Sequence, residues 1–224
     1  SGGGLATAAS LNALLRPAWV QFPDYEDYSF APPSERGTAG GEPPDRVREQ
    51  LLADRQALRT DAQGAATAKV ALPDAVRALK VPAEVVAEVS FDDPNGERQT
   101  VGRSVTLWPS AVVVGIRARS WLAQGGRVPV QMVVLDTAGK PLRGQALEVR
   151  ARLSQVISTR KRIVGGFYAY DNRTEVKELG SLCAGASDDR GQLACEANLD
   201  SAGQVELIVS AKDAAGRIAE AATG

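Results

Sequence analysis

Chemistry has few places to reside in this chain. Histidine is absent from all 224 residues, and cysteine occurs only at Cys183 and Cys195. Without an imidazole there is no Ser-His-Asp or Cys-His nucleophile and no His-containing zinc set, and two thiolates alone cannot complete a zinc site. A carboxylate pair is the remaining route to acid–base catalysis. Asp24, Glu26 and Asp27 sit in the aromatic run Phe22-Pro23-Asp24-Tyr25-Glu26-Asp27-Tyr28-Ser29-Phe30. They are too few and too scattered for a calcium cage, and their spacing fixes no glycosidase-like separation. The sequence therefore assigns no catalytic, metal or cofactor-binding residue, and it reads as a non-enzyme.

The most unusual cluster spans Thr159–Thr174. It joins the bases Arg160, Lys161 and Arg162 to the pair Gly165-Gly166 and to Phe167, Tyr168 and Tyr170, with Arg173 beyond. One reading is a strand with a solvated basic face, a bulge at the glycines, and Phe167 and Tyr170 packed on a sheet. Another is an exposed protease-sensitive segment, with Arg160, Lys161, Arg162 and Arg173 as cleavage points for trypsin-like enzymes. A basic patch with stacking aromatics is also a nucleic-acid signature. The near balance of 26 basic and 27 acidic residues speaks against that partner, and against an anionic membrane. Tyr25 and Tyr28 admit two readings as well, as a cover for one end of a domain or as a sugar-binding face.

These residues must be positioned by sheets. The tetrapeptide Asp-x-x-Gly recurs at Asp61–Gly64, Asp93–Gly96, Asp136–Gly139, Asp188–Gly191, Asp200–Gly203 and Asp213–Gly216. An Asp side chain can cap backbone amides two residues on, and Gly supplies the left-handed residue that closes a short loop. Period-two runs flank the turns: Val85, Ala87, Val89 and Phe91; Val128, Val130, Met132 and Val134; Leu147, Val149, Ala151 and Leu153; Val205, Leu207, Val209 and Ala211. Alternation at hairpin spacing predicts an all-β chain of two tandem antiparallel β-sandwich domains. The length suits two domains, and the break at Trp108-Pro109-Ser110 places them at 1–109 and 110–224. The first carries an irregular insertion over 21–58, in which Asp45 is expected to cap a short helix with Val47, Leu51, Leu52 and Leu58 on its apolar side. That domain is also expected to lack its opening strand or to expose a sheet edge. The opening Ser1-Gly2-Gly3-Gly4 reads as the interior of a longer protein.

Cys183 and Cys195 lie symmetrically about position 189, inside the turn Ser187-Asp188-Asp189-Arg190-Gly191. Facing each other across a hairpin they are close enough to bridge, which predicts a disulfide and an oxidising compartment, the periplasm or the exterior.

Taken together, the segment from Arg160 to Tyr170, Cys183, Asp188-Asp189-Arg190-Gly191 and Cys195 resembles the central macroglobulin-like domains of bacterial α2-macroglobulins, near the bait region. The run Phe22–Phe30 and Ser90-Phe91-Asp92-Asp93-Pro94-Asn95-Gly96 is similar to the preceding macroglobulin domain. The resemblance implies seven-stranded, fibronectin-III-like sandwiches. It also implies a scaffold role in a broad-spectrum protease inhibitor that is cut in its bait and then cages the protease. The implied partners are the target proteases and the other domains of a parent that can be membrane-anchored, with no nucleic acid and no direct membrane contact. The thioester motif Cys-x-Glu-Gln of that family is missing, since Cys183 precedes Ala184-Gly185-Ala186 and Cys195 precedes Glu196-Ala197-Asn198. An adhesin-like or carbohydrate-binding tandem is the alternative that the strand pattern leaves open.

Overall fold

The structure is a computed structural model that describes residues 8–34, 49–74, 76, 79–118, 126–162, 168–199 and 204–223. It is all-β: eleven strands form three antiparallel sheets, and no α-helix occurs among the described residues. The chain divides into two compact units, Ser1–Trp19 with Asp45–Pro109, and Val20–Pro44 with Ser110–Gly224.

In the first unit β1 (Ala8–Pro17), β2 (Gln50–Arg59), β3 (Ala83–Asp92) and β4 (Arg98–Leu107) form one sheet in the order β2-β1-β3-β4. Leu11, Ala13 and Leu15 are buried on one face, in register with Val89, Ala87 and Val85. Leu52, Val76, Leu79, Val81, Val85 and Leu107 pack against Leu15 and Ala83. The helix expected over 45–58 is corrected here: Gln50–Arg59 is a strand, and 45–48 lie outside the described residues. Leu51, Leu52 and Leu58 have helical spacing and break strict alternation, but an isolated helix of about fourteen residues is marginal in water, whereas β1 offers a full ladder. The ladder tolerates the mixed pattern through a bulge. Register slips on both sides of Ala13, Arg55 takes φ 45°, and the Arg55 N–H donates to Asn12 Oδ1 at 2.7 Å.

The second unit has seven strands among the described residues. One sheet has the order β11-β10-β7-β8, from β11 (Ile218–Thr223), β10 (Gln204–Lys212), β7 (Ala146–Arg162) and β8 (Tyr168–Ala186). The other is β5-β6-β9, from β5 (Val112–Ala118), β6 (Gly126–Asp136) and β9 (Gln192–Leu199). The alternating residues of the sequence fill the space between them: Val128, Val130, Met132 and Val134 face Leu147, Val149, Ala151, Leu207 and Val209 in one buried core.

Five of the six Asp-x-x-Gly turns share one geometry, while Asp200–Gly203 lies outside the described residues. In each, Asp Oδ1 accepts the N–H two and four residues on at 2.8–2.9 Å, and the Gly has φ between 70° and 86°. Only Asp93 and Asp213 close paired hairpins, β3–β4 and β10–β11. Asp136 and Asp188 instead carry the chain from one sheet of the sandwich to the other, and Asp61 leads out of β2. Asp213 goes further. Its side chain is 2% exposed, and Oδ2 accepts the Ala111 N–H at 3.0 Å and Arg217 Nε at 2.8 Å, pinning the start of β5 to the β10–β11 turn. The Ala111 N–H, followed by the bonds from Arg217 and Ala215, holds this carboxyl far below the ordinary carboxylate range despite its burial.

Candidate functional site

Residues 20–34, assigned from sequence to an insertion of the first domain, group with the second unit. The reason is local. Phe22 and Phe30 meet edge to face at 5.1 Å and sit on two glycines of the sandwich. A Cβ added at Gly115 would lie 2.7 Å from Phe30 Cε1, and one at Gly139 would lie 2.7 Å from Phe22 Cδ1. Ser29 bridges Ile116 through both backbone bonds, at 2.8 and 2.9 Å. The Ala222 N–H then donates to Ala31 O at 2.8 Å, and Ser29 Oγ to Ala222 O at 2.7 Å. The segment thus bonds both to β5 of one sheet and to β11 of the other. At its far end Glu206 Oε1 accepts the Ser34 N–H and Arg152 donates to Ser34 O, each at 2.6 Å. Arg152 also pairs with Glu178 at 2.9 Å and with Glu206 at 3.5 Å.

In this strap Asp24 and Glu26 are exposed, whereas Tyr28 and Asp27 are engaged by the sandwich. Tyr28 is buried, packs edge to face with Tyr25 at 5.8 Å, and carries the Arg117 guanidinium 4.9 Å above its ring. Burial, then the nearby Tyr25 and Asp188, raise the Tyr28 hydroxyl above its usual pKa. Asp27 pairs with Arg117, which also donates to Gln131. These residues and Pro129 line a cleft of about 360 Å³, and Arg117, its cation among the described residues, is already engaged. Sequence reasoning missed Arg117, Gln131, Arg152 and Glu206. Each lies on a strand far in sequence from the strap that it meets, and an even-numbered arginine in β7 reads only as solvent-facing.

The basic segment is the end of a long ribbon. β7 and β8 pair from Ala146↔Ala186 out to Arg162↔Tyr168, and among the described residues β10, which begins at Gln204, accompanies β7 as far as Ser154. Beyond that point Val156 is 71% and Tyr170 68% exposed, and Arg160 is exposed. Tyr170 therefore does not pack on the sheet as the plain strand reading expected, and Gly165-Gly166 and Phe167 lie outside the described residues. The backbones of Arg160, Lys161 and Arg162 stand in the ladder opposite Tyr170, Ala169 and Tyr168. Arg173 stands opposite Ile157, and its side chain pairs with Glu175. Two register shifts near the root push out Leu182 and Leu179, and both pack against the core.

Cys183 and Cys195 form a disulfide with a Cα separation of 6.6 Å. It does not join a paired hairpin as expected. β8 pairs with β7 and β9 with β6, so the bridge ties one sheet to the other. The Asp188 turn changes sheets between the two cysteines, which the symmetric spacing alone does not reveal. Among the described residues no three cysteines or acids gather as a metal site would require.

No family model matches the chain, and no curated protein does. Solved structures do. Native Escherichia coli α2-macroglobulin superimposes with a TM-score of 0.61 at 11% identity, covering 97% of this chain and 14% of that one. Salmonella α2-macroglobulin reacted with methylamine gives 0.53 at 11% identity over 96% of this chain and 14% of that one. E. coli α2-macroglobulin activated by porcine elastase gives 0.50 at 15% identity over 97% and 18%. The chain thus spans about a seventh of the first two. At this identity the likeness is one of fold: the chain folds as a stretch of bacterial α2-macroglobulin does.

Proposed function

We propose that the chain is a scaffold segment of a bacterial α2-macroglobulin-type broad-spectrum protease inhibitor, working in the periplasm or outside the cell. It performs no catalysis of its own. The observation that carries this reading is the reach of the structural match, 97% of the chain against one α2-macroglobulin, so that both units fall within a single alignment. The disulfide supports an oxidising compartment. In this reading the partners are the remaining domains of the parent and the proteases it captures.

Within it the ribbon is the segment that a trypsin-like protease reaches first. A protease cleft binds its substrate extended and unpaired, while Arg160 and Arg162 are laddered to Tyr170 and Tyr168. The end of the ribbon must therefore unzip, and this is cheap because, among the described residues, one strand pair is broken there. Trypsin at low ratio, followed by mass mapping of the 224-residue chain, should give first cuts within Thr159–Thr174 and leave the sandwich strands intact. First cuts elsewhere would withdraw the protease-sensitive role. The inhibitor reading itself is tested on the full-length parent, which should slow tryptic digestion of casein but not of a small chromogenic peptide. Equal digestion of casein with and without the parent would overturn it. The carbohydrate-binding alternative draws no support from Tyr28, whose ring is covered by Arg117.

A further inference from the structure

We propose that β4, the outer strand of the first unit's sheet, docks an extended segment of a partner polypeptide by strand addition. The segment it fits has an acid at its centre and apolar residues two positions to either side. The first observation is the contrast between the two edges of this sheet. β2 ends it on one side with a bulge, where register slips on both sides of Ala13 and Arg55 takes φ 45°. Such a bulge spoils an edge as a template for another strand. Among the described residues β4 ends it on the other side, with ten unbroken pairs to β3 from Ala83↔Leu107 to Asp92↔Arg98. It holds no proline and no lysine, so it lacks the usual guards of an edge.

The second observation is that water reaches this edge. Every residue from Arg98 to Val105 is exposed, whichever face of the sheet it occupies. Gly102 lies in the middle and has no side chain, so its exposure is exposure of backbone. A Cβ placed there would come within 4 Å of two described atoms, Glu88 Cγ at 3.6 Å and Ala87 O at 3.8 Å, and both belong to β3. Every second residue of an antiparallel edge turns its N–H and C=O away from the sheet, and that row is what strand addition uses.

The third observation selects the partner. Paired residues share a face, so Leu11, Val89 and Val101 form one cross-strand row and Leu15, Val85 and Val105 another. Along both rows the cover thins outward. The leucines are buried, Val89 and Val85 are half-buried, and Val101 and Val105 are 57% and 62% exposed. One more strand with apolar residues beside these valines would extend the covered face. Between them stands Arg103, exposed, opposite Ala87 and without an acidic partner among the described residues. Arg98 and Arg16 of the same sheet do have partners, Asp92 at 3.2 Å and Glu84 at 2.8 Å. An acid across from Arg103 supplies the missing charge. A second copy of β4 pairing about Gly102 would set Arg103 beside a valine, and one pairing about Arg103 would set two arginines together.

The probe is a fluorescein-labelled heptapeptide with threonine at the odd positions and valine, glutamate and valine at the even ones. It is titrated into the oxidised 224-residue chain and followed by anisotropy. Saturable binding is expected, with amide hydrogen exchange slowed within Arg98–Leu107. The same peptide with lysine for glutamate should bind about fivefold more weakly, and the glutamate peptide N-methylated throughout at least about tenfold more weakly. Arg103→Glu should reverse the order, so that the lysine peptide binds the variant more tightly than the glutamate peptide does. Because Arg103 is exposed, the thermal transition should stay in place. No binding at millimolar peptide would overturn the proposal. So would equal binding of the N-methylated peptide, protection confined to other strands, or an unchanged order of the two peptides in Arg103→Glu. Self-association of the chain that the glutamate peptide does not displace would overturn it as well. None of these measurements uses a protease, so the outcome is independent of the inhibitor reading.

Discussion

Opening the Cys183–Cys195 bridge should cost the second unit about 3 kcal/mol. The two cysteines are 12 residues apart and belong to different sheets, so the bridge both closes a loop and holds the sheets together at β8 and β9. Chain-entropy bookkeeping for a loop of about a dozen residues gives ~9.5 cal/mol/K, or ~2.8 kcal/mol at 298 K. For a domain of this size that corresponds to a fall in Tm of roughly 6–12 °C. The measurement is urea unfolding by linear extrapolation on three samples: the oxidised chain, the same chain under reductant, and Cys183→Ala with Cys195→Ala. Loss of the cross-link should appear equally in the last two, with a larger dependence on denaturant because the unfolded chain expands. The double variant should lose a little more, since both cysteines pack against the core. A loss below about 1 kcal/mol on reduction would refute the loop-closure argument. A loss confined to the alanine variant would assign the effect to packing instead.

Gly115→Ala should destabilise by about 1–3 kcal/mol, because the new methyl meets the Phe30 ring in a packed layer; thermal unfolding reads it, and an unchanged Tm would mean that the strap does not seat there. Asp213 is ionised in the fold at pH values where the unfolded chain is already protonated. Its contribution is complete above the ordinary Asp pKa near ~3.9 and is lost as pH falls below it. Asp213→Asn should therefore be less stable at neutral pH and should converge on the parent chain as acid is added, in Tm measured from pH 7 to 2. The raised Tyr28 pKa has the opposite consequence: the unfolded hydroxyl ionises first, so stability present below pH ~10 is lost above it. Tyr28→Phe should flatten that alkaline loss; an identical alkaline slope in both chains would refute the burial argument.

What could be read from the sequence was periodic and local. The rows Val128–Val134 and Leu147–Leu153 announced their buried faces because period two is a property of the strand itself. The Asp-x-x-Gly loops announced themselves because Asp Oδ1 bonds the amides two and four residues ahead, a contact local in sequence. Which strands such a loop connects is a tertiary matter. The Asp136 and Asp188 turns look like hairpin turns and yet change sheets, and this is why the cysteine bridge was expected in the wrong place. The strand at Gln50–Arg59 was hidden because its bulge breaks the alternation, and the bulge is supported by Asn12 from β1. The strap was placed on the wrong unit because nothing near Phe22 or Phe30 encodes the partners, Gly115 and Gly139, more than eighty residues away.

The ribbon's position bears on what a cut in it can accomplish. β7 is held at its root by β10 from Leu147 to Ser154, and β8 is held by β7 and by the bridge to β9. A cut at Arg160–Arg162 lies outside both anchors, so it removes few of the pairs that stabilise the sandwich and leaves the core untouched. Cleavage there releases little folding energy within this unit. If the ribbon signals a cut to a longer protein, the signal must pass through whatever the ribbon touches.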